Sequence, residues 1–136
     1  MKYIVYADGG ARGNPGPAGA GAIVRNETGD TVLTVSEFLG HTTNNVAEYT
    51  AVLRALQGIR DIAGSESAEV LVNMDSELVV KQMKGEYKIK HPNLKPLAEE
   101  VKKLLPHYAH VSFTHVRREQ NKDADALANA AMDRGV

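Results

Sequence analysis

Four carboxylates, Asp8, Glu48, Asp75 and Asp125, each stand where an apolar strand pattern or an amphipathic helix pattern meets a loop, although they are spread over almost the whole chain. Side chains placed in this way can converge at one end of a sheet. Crowded carboxylates repel one another and take up protons unless a cation holds them, and a set of hard oxygen ligands favours Mg²⁺ or Mn²⁺. The chemistry to expect is that of a metal-dependent enzyme.

Each acid also has a structural explanation. Asp8 precedes Gly9, and Asp-Gly is a hairpin signal, but GGARGNPGPAG makes a loop too long for a two-residue hairpin. Glu48 stands three residues after Asn45, as the back-bonding member of a capping box would. Asp75 ends a strand and precedes a helix, the usual place of an N-cap. Asp125 falls in the first turn of a helix, where negative charge is favourable against the dipole. Taken one at a time these explanations suffice. Together they leave unexplained why Asp8 and Asp75 end two strands expected to be neighbours, at the C-terminal edge where the active sites of parallel sheets gather.

The elements that must position these residues are legible from periodicity. Lys2–Asp8, Gly19–Arg25 and Thr31–Leu39 read as three strands of an antiparallel meander, the last two joined through a turn at Gly29. Helical spacing follows from Asn45 to Arg60, with Tyr49, Val52, Leu53, Leu56 and Ile59 facing inward, and Glu69–Met74 is a compact strand. A crossover helix between strands implies parallel pairing. Helices are expected over Glu77–Lys84 and from about Asn93 to Pro106, then a strand over Val111–His115. An alanine-rich helix over Asp123–Met132 closes the chain. The expectation is an α/β protein with a mixed sheet and helices on its faces.

Composition sets outer limits. At 136 residues and 43% hydrophobic content the chain is expected to form one domain over residues 1–136, with a sizeable core. No segment resembles a membrane span. The apolar run in MKYIVYADGG ends in an acid and a Gly pair, so a signal peptide is not expected. The absence of cysteine fits a reducing compartment, and a cytoplasmic location is expected. A net charge of −1 argues against gripping nucleic acid by bulk basicity, but acids gathered at a metal site would lower the net value while a local basic face survived.

The segments DGGARGNPGPAGAG from Asp8, TTNNVAEY from Thr42, MDSELV from Met74 and REQNKDADALA from Arg118 together resemble the four motif blocks of type 1 ribonuclease H, in that family's order. The resemblance implies the ribonuclease H fold, a five-stranded mixed sheet with the first strand central: a three-stranded antiparallel meander plus two parallel strands, with helices on both faces. It implies endonucleolytic hydrolysis of the RNA strand of RNA/DNA hybrids, leaving 5′-phosphate and 3′-hydroxyl ends. Asp8, Glu48, Asp75 and Asp125 would hold two Mg²⁺ or Mn²⁺ ions, in keeping with two-metal phosphodiester chemistry. Asn14, Asn44, Asn45 and the backbone of Gly10, Ala11 and Arg12 match positions that meet RNA in the minor groove, where the 2′-hydroxyl distinguishes RNA from DNA. Thr43 matches a contact to the DNA-strand phosphate. The expected partner is an RNA/DNA hybrid, with double-stranded RNA a further candidate substrate, and the protein is expected to act as a monomer without a membrane.

Three departures from the better-known bacterial pattern stand out. The basic protrusion is reduced to QMKGEYKIKHP, in which Lys84, Lys88 and Lys90, with the adjacent Lys81, retain some positive charge. The loop that carries a mobile catalytic His is missing, which makes Arg118 the candidate for assisting product or metal release, with a surface salt bridge as its structural alternative. Glu77 occupies a position where relatives often place Gln, so an acceptor-only group replaces an amide. His107, His110 and His115 span a helix end and a strand with no Cys among them, so solvated histidines are expected there instead of zinc. The Gly-rich segment is not a dinucleotide fingerprint, because Pro15 and Pro17 interrupt it and a strand follows. Competing functions are another metal nuclease of the same fold, a 3′-exonuclease or strand-transfer enzyme, and a catalytically silent nucleic-acid-binding module. The TTNN and GNPGP blocks argue against the first. The retained acids argue against the second, since a pure binder gains nothing from negative charge facing phosphates.

Overall fold

The computed structural model describes residues 1–136. Strands β1 (Lys2–Ala11), β2 (Gly16–Asn26) and β3 (Thr31–Thr42) precede helix α1 (Asn44–Arg60). Strand β4 (Glu69–Met74), helices α2 (Glu77–Met83) and α3 (Lys95–Leu104), strand β5 (His110–His115) and helix α4 (Lys122–Arg134) complete the chain. The five strands form one sheet in the order β3-β2-β1-β4-β5. The meander pairs antiparallel, whereas β1–β4 and β4–β5 pair parallel. The first strand is central, as the motif resemblance implied.

Alternation sorts the sheet's two faces. Tyr3, Val5 and Ala7 of β1 and Val70, Val72 and Met74 of β4 are buried with the inward face of α1, whose Tyr49, Val52, Leu53, Leu56 and Ile59 all join the core. Helices α2 and α3 add Val79, Val80, Ala98, Val101 and Leu104 to the same cluster. On the opposite face α4 lies against β2 at two glycines. A Cβ on Gly21 would stand 2.3 Å from the Ala124 carbonyl oxygen, and one on Gly19 would stand 2.5 Å from that of Ala128. Only the missing side chains let the helix come so close.

One expectation is corrected. The segment after Asp8 is not a long loop: β1 continues to Ala11, with Gly9 opposite Ala20, Gly10 opposite Gly19 and Ala11 opposite Ala18. Only Arg12–Pro15 connects the strands, and its Asn14–Pro15 peptide bond is cis. Glycine and alanine carry too little side chain to display the two-residue period, so the sequence hides the strand's second half. Asp8 therefore sits within a paired strand, where its neighbour β4 ends.

Candidate active site

The parallel ladder between β1 and β4 runs out at Ala7 opposite Met74, and both chains continue into an acid. Asp75 leaves the sheet toward α2, while Asp8 stays in register opposite Gly21. Residues directly opposite in an antiparallel pair share a face. Since Gly21 abuts α4, Asp8 points to the α4 side, toward Asp125 in that helix's first turn. The fourth acid arrives by close packing. A Cβ on Gly9 would lie 2.3 Å from both the Ala47 carbonyl carbon and the Glu48 nitrogen, so the second turn of α1 rests on bare backbone next to Asp8.

The capping interactions remove most structural explanations for the acids. Thr43 is the N-cap of α1, its hydroxyl accepting from the Val46 N–H at 3.3 Å, so Glu48 is not part of a capping box. Ser76, not Asp75, caps α2 by accepting from the Val79 N–H. Hydroxyl neighbours satisfy both helix starts and leave the carboxylates free.

Asp8, Glu48, Asp75 and Asp125 line one cleft of about 580 Å³, together with Gly10, Ala11, Arg12, Asn44, Ser76 and Arg118. Asp8 is 8% exposed and Glu48 9%. Burial, then the nearby Asp75 carboxylate and a hydrogen bond shared with Asp125, pushes Asp8 up to about 8, although the Gly9 N–H donates to its Oδ1 at 2.9 Å. Burial likewise pushes Glu48 up to about 7, against the opposing effect of a hydrogen bond with the Ser76 hydroxyl. Glu48 Oε2 is buried with no hydrogen-bond partner in the protein.

An unpaired buried carboxylate oxygen is costly, and its position among three other acids fits a divalent cation. The donors are all hard oxygens, suiting magnesium or manganese. No three of these side chains close tightly enough to cage an ion alone.

The remaining sequence-derived candidates divide into two groups. Gly10, Ala11, Arg12, Asn44 and Arg118 reach the cleft. Arg118 makes no salt bridge, which removes the surface-pair alternative. Arg12 is paired with Asp133 at 2.6 Å on the rim. Asn14, Thr43, Asn45 and Glu77 do not line the cleft. Asn14 Oδ1 accepts from the Asn44 N–H at 3.1 Å and Asn44 Oδ1 from the Asn45 N–H at 2.9 Å, so this pair of amides organises the start of α1. Glu77 is 60% exposed and bonded to Lys81 at 2.8 Å, and that ammonium holds its carboxyl below the usual range. His107 Nε2 lies 2.8 Å from the Ser65 hydroxyl.

Sequence reading missed Ser76, whose hydroxyl steadies Glu48, and Asn129, whose amide donates to the Asp125 carbonyl at 3.0 Å. The spacing of Ser76 to Val79, the usual reach of an N-cap, was the available signal for the first. Nothing in the pattern marks the second.

A family model described as reverse transcriptase-like matches residues 6–131. A bifunctional protein of Mycobacterium tuberculosis is 45% identical over 134 residues, covering 98% of this chain and 36% of that protein. Ribonuclease HI of Halobacterium salinarum is 40% identical over 132 residues, covering 97% of this chain and 65% of the enzyme. The chain thus spans about a third to two thirds of the length of these curated relatives. Among solved structures, an RNase H1 isolated from compost by a metagenomic approach, in complex with RNA/DNA hybrid, superposes with a TM-score of 0.90 at 45% identity over 97% of each chain.

Proposed function

Because this chain belongs to the type 1 ribonuclease H family, whose members depend on divalent metal, we propose that it is an endonuclease hydrolysing the RNA strand of RNA/DNA hybrids to 5′-phosphate and 3′-hydroxyl ends. The observation that carries this reading is the convergence of Asp8, Glu48, Asp75 and Asp125 on one cleft, with Glu48 Oε2 buried and unpartnered. Support for the substrate comes from the compost RNase H1, solved with a hybrid bound.

Asp8, Glu48, Asp75 and Asp125, which line one cleft, would together hold two Mg²⁺ or Mn²⁺ ions. Bound there, the cations would activate the attacking water and offset charge on the leaving oxygen. The protein's own groups do the rest. The backbone of Gly10 to Arg12 and the Asn44 amide line the cleft beside the acids, where hydrogen-bonding groups can meet the 2′-hydroxyls of an A-like duplex. A guanidinium has donors and no acceptor, so Arg118 would stabilise anionic charge or compete with a cation during release, and it would not act as a base. Thr43, Asn14 and Asn44 fix the start of α1 and so the approach of Glu48, while Thr43 would meet a DNA-strand phosphate and Asn14 and Asn45 the RNA minor groove. We take residues 1–136 to be one domain that acts as a monomer in the cytoplasm.

The test is cleavage of end-labelled hybrid, duplex RNA and duplex DNA in Mg²⁺, in Mn²⁺ and in EDTA. Internal cuts confined to the RNA strand of the hybrid, and dependent on metal, are expected. Products released one nucleotide at a time from a 3′ end would favour the exonuclease alternative, and binding without cleavage the silent module.

A further inference from the structure

The β1–β4 ladder stops at Ala7, so the Ala7 carbonyl, immediately before Asp8, loses its strand partner where β4 turns away. Asn121 takes over: its Nδ2 donates to the Ala7 oxygen at 2.9 Å. Asn121 is 1% exposed and is the residue from which α4 begins, four positions before Asp125. One side chain therefore joins the strand that carries Asp8 to the helix that carries Asp125, at the gap opened by the departure of Asp75.

Its other amide atom is unexplained by folding. Oδ1 is buried with no donor in the protein, and the side chain makes no capping bond to α4. A buried unsatisfied carbonyl opposes stability. Asn73 Nδ2 makes the same kind of bond to the Val5 carbonyl, two residues earlier in β1, at 3.2 Å, but it is half-buried, does not line the cleft and leaves no orphaned oxygen.

We propose that Asn121 is a positioning residue that sets the separation of Asp125 from Asp8 and thereby the affinity of the site for its divalent cation. This rests on the proposed function. Groups that orient metal-ligating side chains from behind alter affinity or activity by about 10- to 100-fold when removed, whereas a group acting only on the fold alters neither once the protein is folded.

The experiment compares wild type with Asn121→Leu, a near-isosteric change that discards both the donor and the unpaired acceptor. It adds Asn121→Ser, too short to reach Ala7 but able to cap α4, and Asn73→Leu as the matched control. The midpoint for Mg²⁺ is read from the rise in unfolding temperature with metal, independently of activity, and kcat and KM are read on hybrid. For both Asn121 variants the metal midpoint is expected to rise and kcat to fall by about tenfold or more, with KM for hybrid within about twofold. Asn73→Leu should leave the metal midpoint unchanged. Either Asn121 variant folding with a wild-type metal midpoint and kcat overturns the inference, as does an equal effect at Asn73. Absence of metal-induced stabilisation and of cleavage in the wild type would instead overturn the proposed function on which it rests.

Discussion

Asp8→Asn should stabilise the metal-free protein while abolishing cleavage. Asp8 titrates near 8 in the folded chain against an ordinary value of 3.8. A carboxyl whose folded pKa is raised contributes stability that is fully present below about pH 4 and is lost as pH rises toward 8. By pH 7 about three units of that shift have been lost, and at about 1.4 kcal/mol per unit the ceiling is about 4 kcal/mol. Part of the shift comes from the nearby Asp75 and Asp125 carboxylates, which remain in the variant, so about half of that ceiling, a gain of about 2 kcal/mol at pH 7, is expected. Asparagine keeps an oxygen for the Gly9 N–H and never ionises. Thermal unfolding in EDTA from pH 4 to 8 is the assay. The two proteins should be close in stability near pH 4 and diverge as pH rises, the variant melting roughly 5–10 °C higher at pH 7. A variant equal to or less stable than wild type at pH 8 would refute the reasoning, because Asp8 would then not be held against its own charge.

Glu48→Gln should act in the same direction through the same assay, with a smaller gain, since Glu48 is raised only from 4.5 to about 7. Gly9→Ala forces a Cβ to within 2.3 Å of α1 backbone and should cost roughly 2–3 kcal/mol or more in denaturant unfolding. Gly10→Ala, whose Cβ would meet only the Met132 Cε at 3.5 Å, should cost under about 1 kcal/mol. Arg118→Ala should lower kcat by about tenfold, equivalent to about 1.4 kcal/mol, without a change in melting temperature and without an imidazole-like inflection in the pH–rate profile. Glu77→Gln should leave hybrid cleavage within about twofold and melting temperature nearly unchanged, because the exposed pair with Lys81 is screened by solvent, measured by steady-state kinetics and thermal unfolding.

Most of the fold was legible because its elements are amphipathic. The five inward residues of α1 and the compact β4 follow from spacing alone, and the corresponding elements lie within a few residues of expectation. The failures have physical causes. The second half of β1 is glycine and alanine, whose lack of side chain hides a strand and at the same time allows α1 and α4 to approach Asp8. The four acids could be named from their places at element ends and from motif resemblance, yet which residues freed them could not. Thr43 and Ser76 cap their helices in place of the residues first considered for that role. At Glu77 the motif position indicates a substrate contact, and the structure adds a lysine one helical turn later that holds the carboxylate in an exposed pair. Asn121 depends on where β4 ends relative to β1, a register that no local pattern specifies.

The most direct measurement of the central claim separates binding from chemistry at the acidic cleft. Wild type and Asp8→Asn are each bound to end-labelled RNA/DNA hybrid in Ca²⁺, and Mg²⁺ in excess is then added under single-turnover conditions. Similar affinity of the two proteins in Ca²⁺ is predicted, followed by internal cleavage of the RNA strand by wild type only, with the variant slower by roughly 10³-fold or more. Comparable cleavage rates for the two proteins would contradict the account, because the carboxylate at the centre of the site would then contribute nothing to the reaction.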